Sequence, residues 1–360
     1  MPFTIMKNHT RKHILLCAGG TGGHIFPSVA FSQYLREKRI SSTVITNNPD
    51  MFPAHRNTHA VPMIRFKGTF LKFLKQIWDN TRKALNTLQK SKPSHIVLFG
   101  SIYCLPTFLA YLLWRAQGKN CRLILHEQNV VLGRMHRLAQ FFAYRVALSF
   151  PKTRKVSSLT KSRTHHTGNP IRKKFRAPSP SRSKDTYKVM IVGGSQGAVF
   201  FASKQFLKYI YQLDIPSENL EIFHQAPSPF VSGIRHFYRK CGITAHVQPF
   251  FHDMSDLLPQ CHAIISRAGG SIIAEILETQ TPAILVPYPR ATDQHQLHNA
   301  QYLAKHAASF CIQEPDATPV VIGESLKSLL VRSKVRKKSI SNMRKLIRKN
   351  SCSLLFQLCE

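Results

Sequence analysis

Short runs of consecutive apolar residues alternate along this chain with longer stretches whose apolar positions recur at helical spacing. Such alternation predicts strands buried on both faces, joined by covering helices, and hence parallel sheets. His13–Ala18, Ser42–Thr46, His95–Phe99 and Arg122–Leu125 read as strands of a first half; Lys188–Val192, Leu220–His224, Ala263–Ser266 and Ala283–Val286 read as strands of a second. Between them, 172–188 is rich in Ser, Pro and basic residues and poor in large apolar ones, which is linker chemistry. The expected fold class is α/β, with two doubly wound Rossmann-like domains facing across a cleft and the chain crossing near 167–172. The expected division is 1–170 and 171–340, with 341–360 as a candidate C-terminal helix. From Lys334 onward the chain is dense in Lys and Arg, as a basic helix or a frayed tail would be, and 352–360 carry no readable pattern. No short-period repeat is visible, which argues against a solenoid.

Composition narrows the class. Of 360 residues, 43% are hydrophobic and 19% charged, which excludes a disordered or fibrous chain. Lys and Arg number 51 against 17 Asp and Glu, a formal charge of +34. That excess calls for an anionic partner: nucleic acid, an acidic membrane surface or a phosphorylated substrate. The eight cysteines are scattered without a Cys-x-x-Cys pair, the usage of reduced intracellular thiols. The longest apolar stretch, Ile102–Trp114, is broken by Pro106 and falls short of the ~20 residues of a spanning helix. Behind Lys7, Arg11 and Lys12, the run Ile14–Ala18 is too short for a signal-peptide core of about 7–15 residues. The expectation is a cytoplasmic chain, soluble or attached to a membrane surface without crossing it.

Glycines at strand ends carry the chemistry. Gly19-Gly20-Thr21-Gly22-Gly23-His24 follows the first strand directly, and Pro27 favours a helix start just beyond it. Glycines let backbone amides approach an anion, and a helix N-terminus adds free N–H groups and a favourable dipole. The run is not the dinucleotide fingerprint, whose last glycine would fall at Ile25, and it lacks the ending of a P-loop. The construction recurs at Gly193-Gly194-Ser195-Gln196-Gly197-Ala198 and at Ser266-Arg267-Ala268-Gly269-Gly270-Ser271. Three such turns at strand-to-helix junctions place phosphate-type loops on two facing domains, so the ligand site is the cleft. His126-Glu127-Gln128-Asn129, four polar residues at a strand end, would line it; a solvated loop is the plain alternative. Arg172 at the hinge could pair with a diphosphate through its fork of donors. A helix capped by Asp293 would turn Gln296 and Asn299 to one side.

Between Lys67 and Lys90, Leu71, Leu74, Trp78, Leu85 and Leu88 follow helical spacing, with Phe70, Phe73 and Ile77 widening the stripe. Lys67, Lys72, Lys75, Arg82 and Lys83 surround it, as on a helix lying in an anionic bilayer surface. An ordinary core helix with a basic solvated face is the alternative.

Taken together, GGTGGH, HEQN, TGNPIR, GGSQGA, SRAGG with its following Ala-Glu, and DQHQLHNA resemble the MurG-type bacterial glycosyltransferases over about Gly19 to Asn299. The resemblance implies a type B glycosyltransferase architecture whose C-terminal helix returns to the first domain. It implies an inverting, metal-independent transfer of N-acetylglucosamine from UDP-N-acetylglucosamine to the 4-hydroxyl of a polyprenyl-pyrophosphate-linked acceptor. That acceptor is lipid I, the product is lipid II for peptidoglycan, and the site of action is the cytoplasmic face of the bacterial inner membrane. Carried over, the donor would be held by Thr21, Gly22, Gly23 and Asn129 of the first domain and by Arg172, Ser195, Phe251 and Gln296. The helix start Gly270, Ser271, Ile272, Ile273, Ala274 and Glu275 completes the set, with Glu275 on the ribose and Phe251 at the uracil. His24 is the candidate base, with Glu127 as runner-up, and Phe70, Leu71, Lys72, Leu74, Lys75 and Trp78 would touch the membrane. No cofactor or metal is expected, since no Asp-x-Asp motif occurs and the nearest approach is Glu314-Pro315-Asp316.

The chain departs from that pattern in places. Ala202 stands where the family places Asn, 99–106 replaces a glycine-rich loop, and the segment after Thr46 is shorter. The first two changes touch acceptor-side contacts. Three rivals stand beside this reading. A nucleic-acid-binding protein would show a helix-turn-helix, zinc-finger or RNP pattern, and none stands out, so no nucleic-acid partner is expected. The others are a regulatory nucleotide-sugar binder and a type B glycosyltransferase acting on another lipid.

Overall fold

The structure, a computed structural model, describes residues 12–52, 58–62, 69–175, 186–194, 198–211, 213 and 215–360; Lys67 and Ser195 lie outside the described residues. The first domain runs β1 (His13–Cys17), α1 (Gly22–Glu37), β2 (Ser41–Thr46), β3 (Thr58–Ala60), α2 (Phe70–Ser91), β4 (His95–Leu98), α3 (Leu105–Ala116), β5 (Arg122–Glu127), α4 (Arg134–Ala139), β6 (Arg145–Leu148) and β7 (Thr164–His166). The second runs β8 (Tyr187–Val192), α5 (Val199–Ala202), α6 (Lys204–Tyr211), β9 (Leu220–Gln225), α7 (Val231–Lys240), β10 (Thr244–Gln248), α8 (Met254–Leu257), β11 (Ala263–Ser266), α9 (Gly270–Thr279), β12 (Ala283–Leu285), α10 (His295–Lys305), β13 (Ser309–Cys311), α11 (Pro319–Leu330) and α12 (Ser333–Leu346). A last helix, α13 (Ser351–Gln357), follows.

Each domain is one parallel sheet, ordered β3-β2-β1-β4-β5-β6-β7 and β10-β9-β8-β11-β12-β13. The apolar runs are continuous because helices cover both faces, and the two-residue period of a strand shares them out. Ile14, Leu16, Val97 and Ile124 pack under α1 with Val29 and Phe31; Leu15, Cys17, Leu98 and Leu125 pack under α2 and α3 with Leu88 and Phe108. In the second sheet Met190, Val192 and Ile264 face α9, α10 and α12, while Val189, Ile191 and Ile265 face α6, α7 and α11. In each sheet the order reverses beside the first strand, at β1/β4 and at β8/β11, where open sheets bind ligands.

The chain crosses between domains twice. It passes outward through 167–172 and returns beyond α12, where Arg348 Nε donates to the His166 carbonyl (3.2 Å) and Ser351 Oγ to that of Asn169 (2.9 Å). Helix α13 then packs on α1: Leu355 and Cys359 are fully buried in the cluster that holds Phe31, and the Phe356 ring lies 6.1 Å from that of Tyr34.

Pro27 departs from expectation. It lies inside α1, more than a turn beyond the first residue, and not at the helix start. Having no N–H, it leaves the carbonyl of Gly23, four residues back, without its helical partner. Ser271 Oγ of the second domain donates to that carbonyl at 2.8 Å.

Helix α2 divides lengthwise. Thr69 caps it by accepting from the Lys72 amide, and its second half buries Ala84 and Leu88. Its first half leaves Phe70 (62%), Leu71 (76%), Leu74 (44%) and Trp78 (58%) exposed among the exposed Lys72 and Lys75. The core-helix alternative thus holds for one half only. No helix among the described residues is long and apolar enough to cross a membrane.

Candidate active site

The turns after β1, β5, β8 and β11 line one interdomain cleft of about 790 Å³, within the usual range for small-molecule sites. Of the sequence-predicted residues, Thr21, Gly22, Gly23, His24, Asn129, Arg172, Phe251, Gly270, Ser271, Ile272, Glu275 and Gln296 line it. Glu127 does not.

The start of α9 forms one wall. The amides of Gly270, Ser271 and Ile272 precede the first rung of the helix ladder and are left for an acceptor in the cleft. Ile273 and Ala274 do not join them: the Ile273 amide bonds to the Gly269 carbonyl, its side chain enters the core, and Ala274 faces the crevice behind the helix. Glycine is required at 270, since a Cβ there would collide with the Gln128 carbonyl of the other domain. Asn169 Nδ2 donates to the Gly270 carbonyl (3.2 Å), tying the hinge to the same turn.

Arg172 and Glu275 meet inside the cleft. Arg172 Nη2 lies 3.4 Å from Glu275 Oε1, and its guanidinium sits between the rings of Phe26 (4.7 Å) and Phe175 (5.1 Å). Burial pushes the Glu275 carboxyl up to about 7, offset in part by Arg172. Arg172 Nε is buried without a partner among the described residues, so the pair retains donor capacity for a ligand.

Opposite stands His24. Its Nδ1 is 2.9 Å from Gln128 Oε1, and among the described residues no hydrogen bond is made to its Nε2. Burial lowers its pKa, with the Glu127 charge pulling the other way, so the ring is neutral near pH 7. Glu127 points away from the cleft. Oε1 accepts from the Asn129 amide and Nδ2 (both 3.0 Å); Oε2 accepts from the Gly133 amide (2.8 Å) and His136 Nδ1 (3.0 Å). A carboxylate engaged in this way builds the loop and does not reach a substrate.

Polar residues fasten the floor. Asn299 Oδ1 accepts from the Val130 amide (2.8 Å), and its Nδ2 donates to Asn129 Oδ1 and to the Ala268 carbonyl (both 3.0 Å). Gln296 Oε1 accepts from the amides of Ala268 (3.3 Å) and Tyr288 (3.0 Å). The expected Asp293 cap is absent: Gln294 occupies the cap position of α10, and Asp293 instead pairs with Arg137, Arg134 and Lys155 of the first domain. Three cations surround it, so the carboxylate bridges the domains.

Arg267 was not singled out as a site residue, yet it lines the cleft and is buried. It pairs with Glu314, donates to the Val286 carbonyl (3.1 Å) and lies 5.2–5.5 Å from the rings of Phe200, Phe201 and Tyr288. Its position after β11, inside a glycine turn, was the available signal. Ala202 is buried in the second domain's core, away from the cleft. The 99–106 replacement still braces the first glycine loop: Ser101 Oγ donates to the Gly19 carbonyl (3.1 Å) and Tyr103 OH to that of Val61 (2.8 Å).

Comparison with known proteins agrees with this geometry. The Glycosyltransferase family 28 N-terminal domain matches residues 14–148, and the Glycosyltransferase family 28 C-terminal domain matches 188–352. The UDP-N-acetylglucosamine--N-acetylmuramyl-(pentapeptide) pyrophosphoryl-undecaprenol N-acetylglucosamine transferase of Wolbachia pipientis subsp. Culex pipiens is 32% identical over 92% of this chain and 94% of that protein. The protein of the same name from Rickettsia bellii is 32% identical over 97% of this chain and 99% of its own length. Among solved structures, that of Acinetobacter baumannii MurG superposes with a TM-score of 0.75 at 25% identity, covering 96% of this chain and 98% of that one.

Proposed function

This chain belongs to glycosyltransferase family 28, among the N-acetylglucosamine transferases that act on pyrophosphoryl-undecaprenol-linked N-acetylmuramyl-pentapeptide, and we propose how its cleft performs that transfer. The donor is UDP-N-acetylglucosamine, the acceptor lipid I and the product lipid II. The observation that carries the assignment of roles is that the free amides of α9 and the Arg172–Glu275 pair face His24 across one cleft.

In this reading the diphosphate lies against the amides of Gly270, Ser271 and Ile272, with the Arg172 guanidinium beside it. One helix dipole supplies only about 0.3–1 kcal/mol when exposed and up to ~2 when partly buried, so amides and guanidinium act jointly on the leaving UDP. Glu275 accepts from the ribose hydroxyls, the role suited to a carboxylate that would repel phosphate. The acceptor's 4-hydroxyl oxygen attacks the anomeric carbon as the bond to the β-phosphate oxygen breaks, inverting that centre. The hydroxyl proton passes to Nε2 of His24. Ser195, outside the described residues, keeps its expected role as a donor contact.

The acceptor's polyprenyl chain lies in a bilayer. The exposed apolar half of α2, rimmed by Lys72 and Lys75, is suited to seat the first domain on an anionic surface, which would put the enzyme at the cytoplasmic face of the bacterial membrane.

The test is transfer of labelled N-acetylglucosamine to a short-chain lipid I analogue, with UDP-glucose and UDP-N-acetylgalactosamine as controls. His24→Ala is expected to lower kcat by on the order of 10²–10⁴ with the donor KM little changed. Near-normal turnover of that variant would remove His24 from the role of base.

A further inference from the structure

A neutral imidazole accepts a proton only at the nitrogen that carries none, so a histidine base depends on its tautomer. In this structure a chain of hydrogen bonds leading away from His24 fixes that choice. It begins at the Gly168 carbonyl on the interdomain crossover, which can only accept. His126 Nε2 lies 3.1 Å from it and therefore carries the hydrogen. The His126 ring is buried and kept neutral by that burial, so its Nδ1 is an acceptor. Gln128 Nε2 lies 2.9 Å from that Nδ1 and 2.9 Å from the His126 carbonyl. Both neighbours accept, which orients the amide: the flipped form would set Oε1 against a carbonyl and a ring lone pair. Oε1 then faces His24 Nδ1 at 2.9 Å and can only accept in turn. Nδ1 of His24 must carry the hydrogen, and Nε2 presents its lone pair to the cleft.

We propose that Gln128 and His126 are positioning residues that hold His24 in the Nδ1–H tautomer, so that proton acceptance at Nε2 is referenced to a main-chain carbonyl on the hinge. The surroundings are built for this contact. A Cβ at Gly100 would lie 2.7 Å from His24 Nδ1 and 3.1 Å from Gln128 Oε1, so glycine leaves the room the bond needs. Gly100 is itself held, its amide donating to His136 Nε2 (3.2 Å) while His136 Nδ1 donates to Glu127. The inference rests on His24 being the base for its importance to turnover, though the tautomer can be observed independently of that role.

The test uses the full chain labelled with nitrogen-15 histidine, its His24 ring resonances assigned by their disappearance in His24→Gln. At neutral pH the proposal requires a protonated, pyrrole-type Nδ1 and an unprotonated, pyridine-type Nε2. A protonated Nε2 in the wild-type chain overturns it, whatever the kinetics. Gln128→Met, checked for folding by its melting curve, is expected to lose the Nδ1–H signature and to lower kcat roughly tenfold or more, leaving the donor KM within about twofold. Retention of the wild-type ring pattern in that variant also overturns the proposal. If instead His24→Gln keeps normal turnover while the wild-type ring is Nδ1-protonated, the base assignment fails and the relay stands.

Discussion

Glu127 and Glu275 show what burial alone does not decide. Burial raises the pKa of both carboxyls. At Glu127 the hydrogen bond from His136, with that from the Gly133 amide, more than offsets it and brings the pKa to about 2. At Glu275 one guanidinium at 3.4 Å offsets only part, and the group titrates at about 7. The consequences for stability have opposite signs. Glu127 stabilises the fold fully above its unfolded pKa of ~4.3 and loses that contribution as pH falls toward about 2. Glu275 is favourable below ~4.3 and becomes a cost as pH rises through about 7, a cost that a bound ribose would lower. Glu127→Gln places amide hydrogens against N–H donors; urea unfolding at neutral pH is expected to show a loss of about 1–3 kcal/mol, with a flatter acid limb. Unchanged stability would mean that the carboxylate does not hold the 128–136 turn. The sequence marked His126–Asn129 as one polar cluster lining the cleft. Strand alternation splits it, sending His126 and Gln128 to one side and Glu127 to the other, and that two-residue period was readable without coordinates.

At the scale of elements, the strands that were readable are those buried on both faces, because a continuous apolar run has no other use at that length. β3, β6, β7, β10 and β13 were missed. Thr-His-Ala, Thr-His-His, Thr-Ala-His-Val-Gln and Ser-Phe-Cys are the edge strands and owe their conformation to the neighbour they pair with, whereas Arg-Val-Ala-Leu of β6 is interior but its three-residue apolar run is too short to stand out. Helix α13 falls within the expected C-terminal helix at 341–360, but 352–360 carry no readable pattern of their own, since their apolar residues pair with α1 and with nothing adjacent in sequence. Pro27 is the opposite case, visible in the sequence but assigned to the wrong place. Inside α1 it vacates the Gly23 carbonyl for Ser271, so a backbone defect in one helix becomes an interdomain hydrogen bond to the first turn of another. A double-mutant cycle isolates this coupling. Ser271→Ala alone is expected to cost about 0.5–1.5 kcal/mol in unfolding free energy. In a Pro27→Ala background the restored amide competes for the carbonyl, and the same serine change should cost distinctly less. Equal costs in both backgrounds would show that the two residues act independently.

For the whole molecule, two questions remain linked: how the lobes are held together and where the charge goes. Two chain crossings, the Asp293 cluster and the Ser271 bond hold the lobes together, and none of these uses the first half of α2, where Phe70, Leu71, Lys72, Leu74, Lys75 and Trp78 are exposed. A formal charge of +34 on 360 residues did not by itself choose between nucleic acid, bilayer and phosphorylated substrate. The proposed bilayer contact rests on the apolar patch among those cations, because nucleic acid offers nothing to bury Leu71, Leu74 and Trp78, whereas the acyl boundary of a bilayer does. Each lysine near an anionic surface contributes about 1 kcal/mol, an attraction that salt screens. The chain should therefore pellet with phosphatidylglycerol vesicles, weakly with neutral ones, and less in high salt. Lys72→Glu with Lys75→Glu should weaken binding to anionic vesicles specifically, while Leu71→Ser with Trp78→Ser should weaken binding to both. The chain has two tryptophans and Trp114 is buried, so a blue shift of fluorescence on adding vesicles reports Trp78 entering the interface. Equal pelleting with neutral and anionic lipid would remove the electrostatic half of this account, and an unshifted spectrum on bound vesicles would remove α2 as the contact.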